Sequence, residues 1–133
     1  MIFVDTGAFL ARYLASDAHH KRALRLWKKV ELSGVRLVTS NHVIDETLTL
    51  LGRRASYDFA ADRGQELYQS RALAILRTVE EEELLALELF RKFADQEVSF
   101  TDCISFTLMR KAGIGTAFSF DRHFALAGFK LLT

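Results

Sequence analysis

A chain of 133 residues, 50% hydrophobic and 26% charged, is long enough for one core and too short for two, so a single domain spanning 1–133 is expected. A formal charge of +1 excludes a global field drawing the protein to nucleic acid or membranes, and any polyanion site must be a local patch. One cysteine, Cys103, excludes an internal disulfide framework. No apolar run approaches the roughly 20 residues of a membrane span, and Asp5 arrives too early for a secretory leader, so a cytoplasmic location is expected.

Ile2-Phe3-Val4 opens the chain as a β-branched and aromatic run and ends at Asp5. Phe9, Leu10, Tyr13 and Leu14 follow at helical spacing, and Asp17 is placed to cap a helix carrying Ala23, Leu26, Trp27 and Val30. Val35 to Thr39 reads as a second strand, Asn41 to Leu51 as a helix, and Ala72 to Leu76 as a third strand. Glu80 to Phe93 repeats Leu84, Leu85, Leu87, Leu89 and Phe90 among charges, a helical stripe expected to face mainly the core. After Ser99 a last long helix, apolar almost all round from Cys103 to Met109, precedes strands at Thr116 to Phe120 and Phe129 to Leu132. Strands alternating with six or seven helices predict an α/β fold, a mainly parallel sheet covered on both faces, with ligands beyond the strands' carboxyl ends.

Four acids stand out against this frame. Asp5 and Asp121 directly follow strands, where capping of the next helix would also account for them. Glu46 shares its helix face with Val43 and Leu50, whereas Asp45 sits among Asn41, His42 and Thr49 on a polar stripe, which makes Glu46 the anomalous acid. Asp102 lies in the first turn of the apolar helix, with Ser99 or Thr101 as its cap. Should the four converge, pairs about 5 Å apart would repel by roughly 3 kcal/mol each at an effective dielectric of 20. Protons or a hard divalent cation must then neutralise them, and oxygen donors without thiolate or imidazole partners select Mg²⁺ or Mn²⁺. The chemistry such a cluster implies is phosphodiester hydrolysis by an activated water.

In Ile2-Phe3-Val4-Asp5-Thr6, Thr39-Ser40-Asn41-His42-Val43-Ile44-Asp45-Glu46, Ser99-Phe100-Thr101-Asp102-Cys103-Ile104-Ser105-Phe106 and Phe118-Ser119-Phe120-Asp121-Arg122-His123-Phe124, the whole chain resembles a PIN domain, and within that family the small VapC-type toxins. The resemblance implies a three-layer α/β/α sandwich with a five-stranded parallel sheet and metal-dependent endoribonuclease activity. It implies Asp5 and Asp102 as direct metal ligands, Glu46 as ligand or general base, Asp121 as holder of a second ion or a water, and Thr6 and Thr101 as hydroxyls supporting the acids. It further implies an RNA substrate, a homodimer and a cognate antitoxin.

Other readings compete. A PIN-like RNA-processing nuclease would work without an antitoxin, and a non-enzymatic interaction module would use the acids only as caps. Asp5-Thr6-Gly7-Ala8 also matches the retroviral-type aspartic protease signature, although that motif belongs to an all-β context. A phosphatase reading lacks the acid expected at Gly7. His19, His20, His42 and His123 show no zinc spacing, and Cys103 reads as a small core residue. Of the arginines, Arg12, Arg110 and Arg122 lie near enough to the acids in sequence to be tested as phosphate contacts.

Overall fold

In the computed structural model, which describes residues 1–133, the first strand is the centre of the sheet. β1 (Ile2–Val4) pairs in parallel with β2 (Leu37–Ser40) on one side and with β4 (Thr116–Phe118) on the other. β3 (Leu73–Leu76) extends the sheet beyond β2 and β5 (Lys130–Leu131) beyond β4, giving the all-parallel order β3-β2-β1-β4-β5. Every residue of β1 and β2 is buried. Because successive strand residues point to opposite faces, both faces of the sheet are covered, which is what favours unbroken apolar strands over alternating ones.

Parallel neighbours need crossovers, and helices supply them. α1 (Thr6–Tyr13) and α2 (His20–Ser33) join β1 to β2; α3 (Asn41–Arg54) and α4 (Tyr57–Gln69) join β2 to β3. α5 (Glu80–Lys92), a 3₁₀ turn at Ala94–Gln96 and α6 (Phe100–Ala112) lead to β4, and α7 (His123–Leu126) leads to β5. The path steps from β1 to β3 in one direction and then jumps back past β1 to β4. Right-handed crossovers therefore put α1–α4 on one face and α5–α7 on the other, the three-layer sandwich expected of the sequence. The carboxyl ends of β1 and β4, where the path reverses, form the switch point at which α/β folds bind ligands.

One core runs through the layers. Trp27 packs on Phe9 and Phe118, with its Nε1–H donating to the Ala8 carbonyl at 3.0 Å. Phe106 of α6 meets Phe124 edge-on at 5.0 Å, and α6 is buried from Asp102 to Met109. Leu10, Leu14, Leu51 and Ala60 form a smaller cluster between α1, α3 and α4. There Gly64 allows a close approach, since a Cβ would lie 2.8 Å from a Leu48 methyl.

Several sequence expectations move. Strand two starts at Leu37 rather than Val35, and strand four stops at Phe118 because Ser119 turns away to bond other groups. Asp17 does not cap α2: its Oδ1 accepts from the His19 N–H at 2.8 Å in the turn before, and the helix starts at His20 with no side-chain cap. Of the α5 stripe only Leu89 packs against the core. Leu84, Leu85, Leu87 and Phe90 are exposed, and the helix is anchored instead by buried Ala86 and by buried Glu82, which accepts from the Val79 N–H and pairs with Lys111 Nζ at 2.8 Å. His42 leaves the solvated stripe too, meeting the Thr78 hydroxyl at 2.9 Å.

Candidate functional site

At the switch point the chain leaves β1 under restraint. The Val4 carbonyl accepts from the buried Thr39 hydroxyl at 2.7 Å, and the Asp5 N–H donates to the Phe118 carbonyl at 3.0 Å. Asp5 occupies the N-cap position of α1, yet its side chain makes no capping bond. Its carboxylate instead accepts from Ser119 Oγ at 2.8 Å, across 114 residues of sequence. Capping therefore does not explain Asp5. Ser119 Oγ also accepts from the Asp121 N–H at 3.0 Å, so one hydroxyl ties together two of the four acids.

The other acids arrive on capped helices. Ser40 caps α3 by accepting from the Val43 N–H, which aims half-buried Glu46 toward the same groove while Asp45 stays exposed. Ser99 caps α6, accepting from the Asp102 N–H at 3.1 Å, and buries Asp102 in the first turn. Asp121 Oδ1 accepts from the His123 N–H at 2.9 Å and faces His123 Nδ1 at 3.1 Å. Ligand atoms of Asp102, Asp121 and His123 all lie within 4.8 Å of one another.

Asp5, Glu46, Asp102 and Asp121 thus line one groove of about 620 Å³, together with Thr6, Ser99, Phe120, Arg122 and His123. Burial pushes the Asp5 carboxyl up to about 6, outweighing the Ser119 hydroxyl and the Thr6 backbone N–H that lower it, and the Glu46 and Asp121 charges add to the rise. Burial pushes Asp102 further, to about 9, reinforced by the Asp5 charge, by a proton shared with Asp121 and by the Asp121 and Glu46 charges. Asp102 therefore retains its proton at neutral pH unless a cation replaces it. The oxygen donors fit a hard divalent ion, carboxylates from separate elements and a buried Thr6 hydroxyl with no partner of its own, while the His123 imidazole, outside the expected donor set, faces Asp121 Oδ1.

Two residues at this site escaped the sequence reading. His123 and Ser119 each stand two positions from Asp121, and the Ser-x-Asp-x-His spacing was the available signal. Thr101 does not line the groove; the hydroxyl at that corner belongs to Ser99. Among the arginines only Arg122 lines it, since Arg12 pairs with Glu31 at 3.0 Å over Trp27 and Arg110 donates to the Ala127 carbonyl. Cys103 is buried and its thiol is pushed up to about 11 by burial and by the Asp102 charge, which leaves it no thiolate at neutral pH. The parallel α/β fold removes the protease reading.

A parallel sheet between two helical layers, with an acidic groove at its switch point, is the architecture of a nuclease-like domain. The PIN-domain sequence profile matches residues 2–130, and the chain belongs to the PIN-domain family. Within it the chain is 40% identical over 129 residues to the 23S rRNA-specific endonuclease VapC20 of Mycobacterium tuberculosis, covering 97% of this chain and 95% of that one. It is 34% identical over 126 residues to a VapC ribonuclease of Archaeoglobus fulgidus, covering 92% and 78%. The crystal structure of M. tuberculosis VapC20, described as a sarcin-ricin loop cleaving toxin, superposes with a TM-score of 0.88 at 37% identity over 97% of this chain and 96% of that one. FitAcB from Neisseria gonorrhoeae shares the fold, with a TM-score of 0.72 at 16% identity over 100% and 97% of the two chains.

Proposed function

We propose that the protein is a Mg²⁺- or Mn²⁺-dependent endoribonuclease with Asp5, Glu46, Asp102 and Asp121 as its working acids, and that it is the toxin of a toxin–antitoxin pair. The observation that carries this reading is the meeting of these four acids, from four parts of the chain, in one groove at the sheet's switch point. Asp5 and Asp102 are the deepest pair and would hold the ion through their carboxylates, with Asp121 beside Asp102 and His123 fixing the orientation of Asp121. Ser119 keeps the Asp5 carboxylate turned into the groove, and the free Thr6 hydroxyl orients solvent there. Glu46, less buried, accepts the proton of the attacking water at its carboxylate. When bound, the ion polarises the scissile phosphate and stabilises charge developing on its oxygens.

VapC20 is named for ribosomal RNA, which makes ribosomal RNA the first substrate to offer this chain. A homodimer, a cognate antitoxin that silences the groove and a cytoplasmic location complete the proposal; no helix is long and apolar enough to cross a membrane. The test is incubation of the purified chain with total ribosomal and transfer RNA, with Mg²⁺, with Mn²⁺ and with chelator. Discrete fragments that vanish with chelator and in Asp5→Asn support the reading. Fragments of equal yield in Asp5→Asn and wild type, or no cleavage of any RNA together with no metal-induced stabilisation, overturn it.

A further inference from the structure

Beside the acids, the groove wall includes Phe120, the residue between Ser119 and Asp121. The His19 ring lies flat on Phe120, with centroids 4.5 Å apart and an interplanar angle of 2°, and the Arg22 guanidinium stands 5.7 Å from the same Phe120 centroid. Phe118 braces Phe120 edge-on at 6.2 Å from below. His19 is exposed and its ring makes no hydrogen bond, so the stack on Phe120 is what holds it. Below it, α2 carries Lys21, Arg22, Arg25, Lys28 and Lys29, all exposed, against one acid, Glu31.

This charge is placed against local preference. Lys21 and Arg22 sit in the first turn of α2, where the helix dipole disfavours cations, and that turn holds no acid. In a chain of net charge +1, the basic face of α2 is a local patch that begins at the lip of the acidic groove. Cations that follow a phosphate backbone, next to an aromatic surface that accepts a base face, are the two components of single-strand recognition.

We propose that His19, supported by Phe120, is a stacking platform for an unpaired base next to the scissile phosphate, and that Arg22 and the α2 face beyond it hold the adjoining phosphates. The substrate class is single-stranded or looped RNA, because bases within a duplex are already stacked on each other. The proposal rests on the nuclease reading for the place of the scissile bond. His19 and Arg22 act as positioning residues, strengthening binding without touching the reacting atoms.

The experiment measures fluorescence anisotropy of a short labelled single-stranded RNA of mixed sequence with the Asp5→Asn chain, across a salt series. His19→Ala added to that background should weaken binding about ten-fold and His19→Tyr should restore it. Arg22→Gln should lower the slope of log affinity against log salt by about one. The same RNA as a duplex should bind without sensitivity to His19→Ala. In the chain with Asp5 intact, His19→Ala should raise KM and leave kcat near wild type. If the wild-type chain cleaves RNA while His19→Ala changes neither affinity nor KM, the platform is wrong and the nuclease reading stands. Should His19-dependent binding occur with no cleavage by wild type, the platform stands and the nuclease reading falls. Absence of any RNA binding overturns both.

Discussion

Replacing Asp102 by Asn should stabilise the metal-free protein while abolishing its activity. Asp102 is 7% exposed, and its carboxyl is raised from 3.8 to about 9 by burial and by neighbouring acids. A group whose pKa is raised on folding contributes stability that is complete below its unfolded value and is lost as pH rises through its folded value. At pH 7 the folded chain still holds a proton that the unfolded chain has released, a cost of about 1.4 kcal/mol for each pH unit above 3.8, or about 4 kcal/mol. Asn keeps the shape of the protonated acid with no such cost. For a chain of 133 residues this corresponds to a rise in melting temperature on the order of 10 °C at pH 7. The assay is thermal unfolding in chelator, followed by the fluorescence of the sole tryptophan, Trp27. The gain should shrink toward zero near pH 4, and the variant should keep only the decline due to Asp5, which is complete by about pH 6. Mn²⁺ should stabilise wild type and not the variant. A variant melting at or below wild type at pH 7, or a gain independent of pH, would refute the account of Asp102 as an acid that burial keeps protonated in the groove.

Ser119→Ala removes the 2.8 Å bond to Asp5 and should lower Mn²⁺ affinity by about 10- to 100-fold in calorimetric titration; unchanged affinity would show that the hydroxyl does not orient the acid. Trp27→Phe leaves the Ala8 carbonyl without its side-chain donor and removes ring volume from the core, and should cost about 1–3 kcal/mol in urea unfolding followed by circular dichroism; unchanged stability would show that neither the bond nor the packing counts. Glu82→Ala loses the Val79 N–H and Lys111 partners and should cost about 1–2 kcal/mol at pH 7. Because the Lys111 bond holds the Glu82 carboxyl below its ordinary 4.5, that difference should be present above this value and fade as pH falls through the lower, folded one; a loss that persists in acid would point to packing instead.

The fold was legible wherever burial on both sides imposed an unbroken apolar run, as in Ile2-Phe3-Val4, and wherever a buried helix left no polar face, as in Cys103 to Met109. Glu46 was legible because it broke a helical stripe, and Asp5, Asp102 and Asp121 because they ended strands or opened a helix. The meeting of His123 with Asp121 and of Ser119 with Asp5 was harder to read, since it depends on how β4 ends and on a pairing across 114 residues. The α5 stripe misled because helical periodicity reports an amphipathic face without saying what covers it, and here much of it stays exposed. The Asp17 cap failed for a related reason: a residue suited to capping also suits a turn, and here it served the turn.

The order in which the groove is built has its own consequence. Asp5, its first wall in chain order, precedes its last, Asp121, by 116 residues, and Asp121 stands just past a strand, β4, that must slide in beside β1. A growing polypeptide that has not yet delivered β4 lacks Ser119, Asp121 and His123 at once, and Asp5 then has no partner for its carboxylate. If the chain cuts ribosomal RNA, it remains harmless to the ribosome making it until β4 and the residues after it have folded in, and termination before them yields a fragment without the groove.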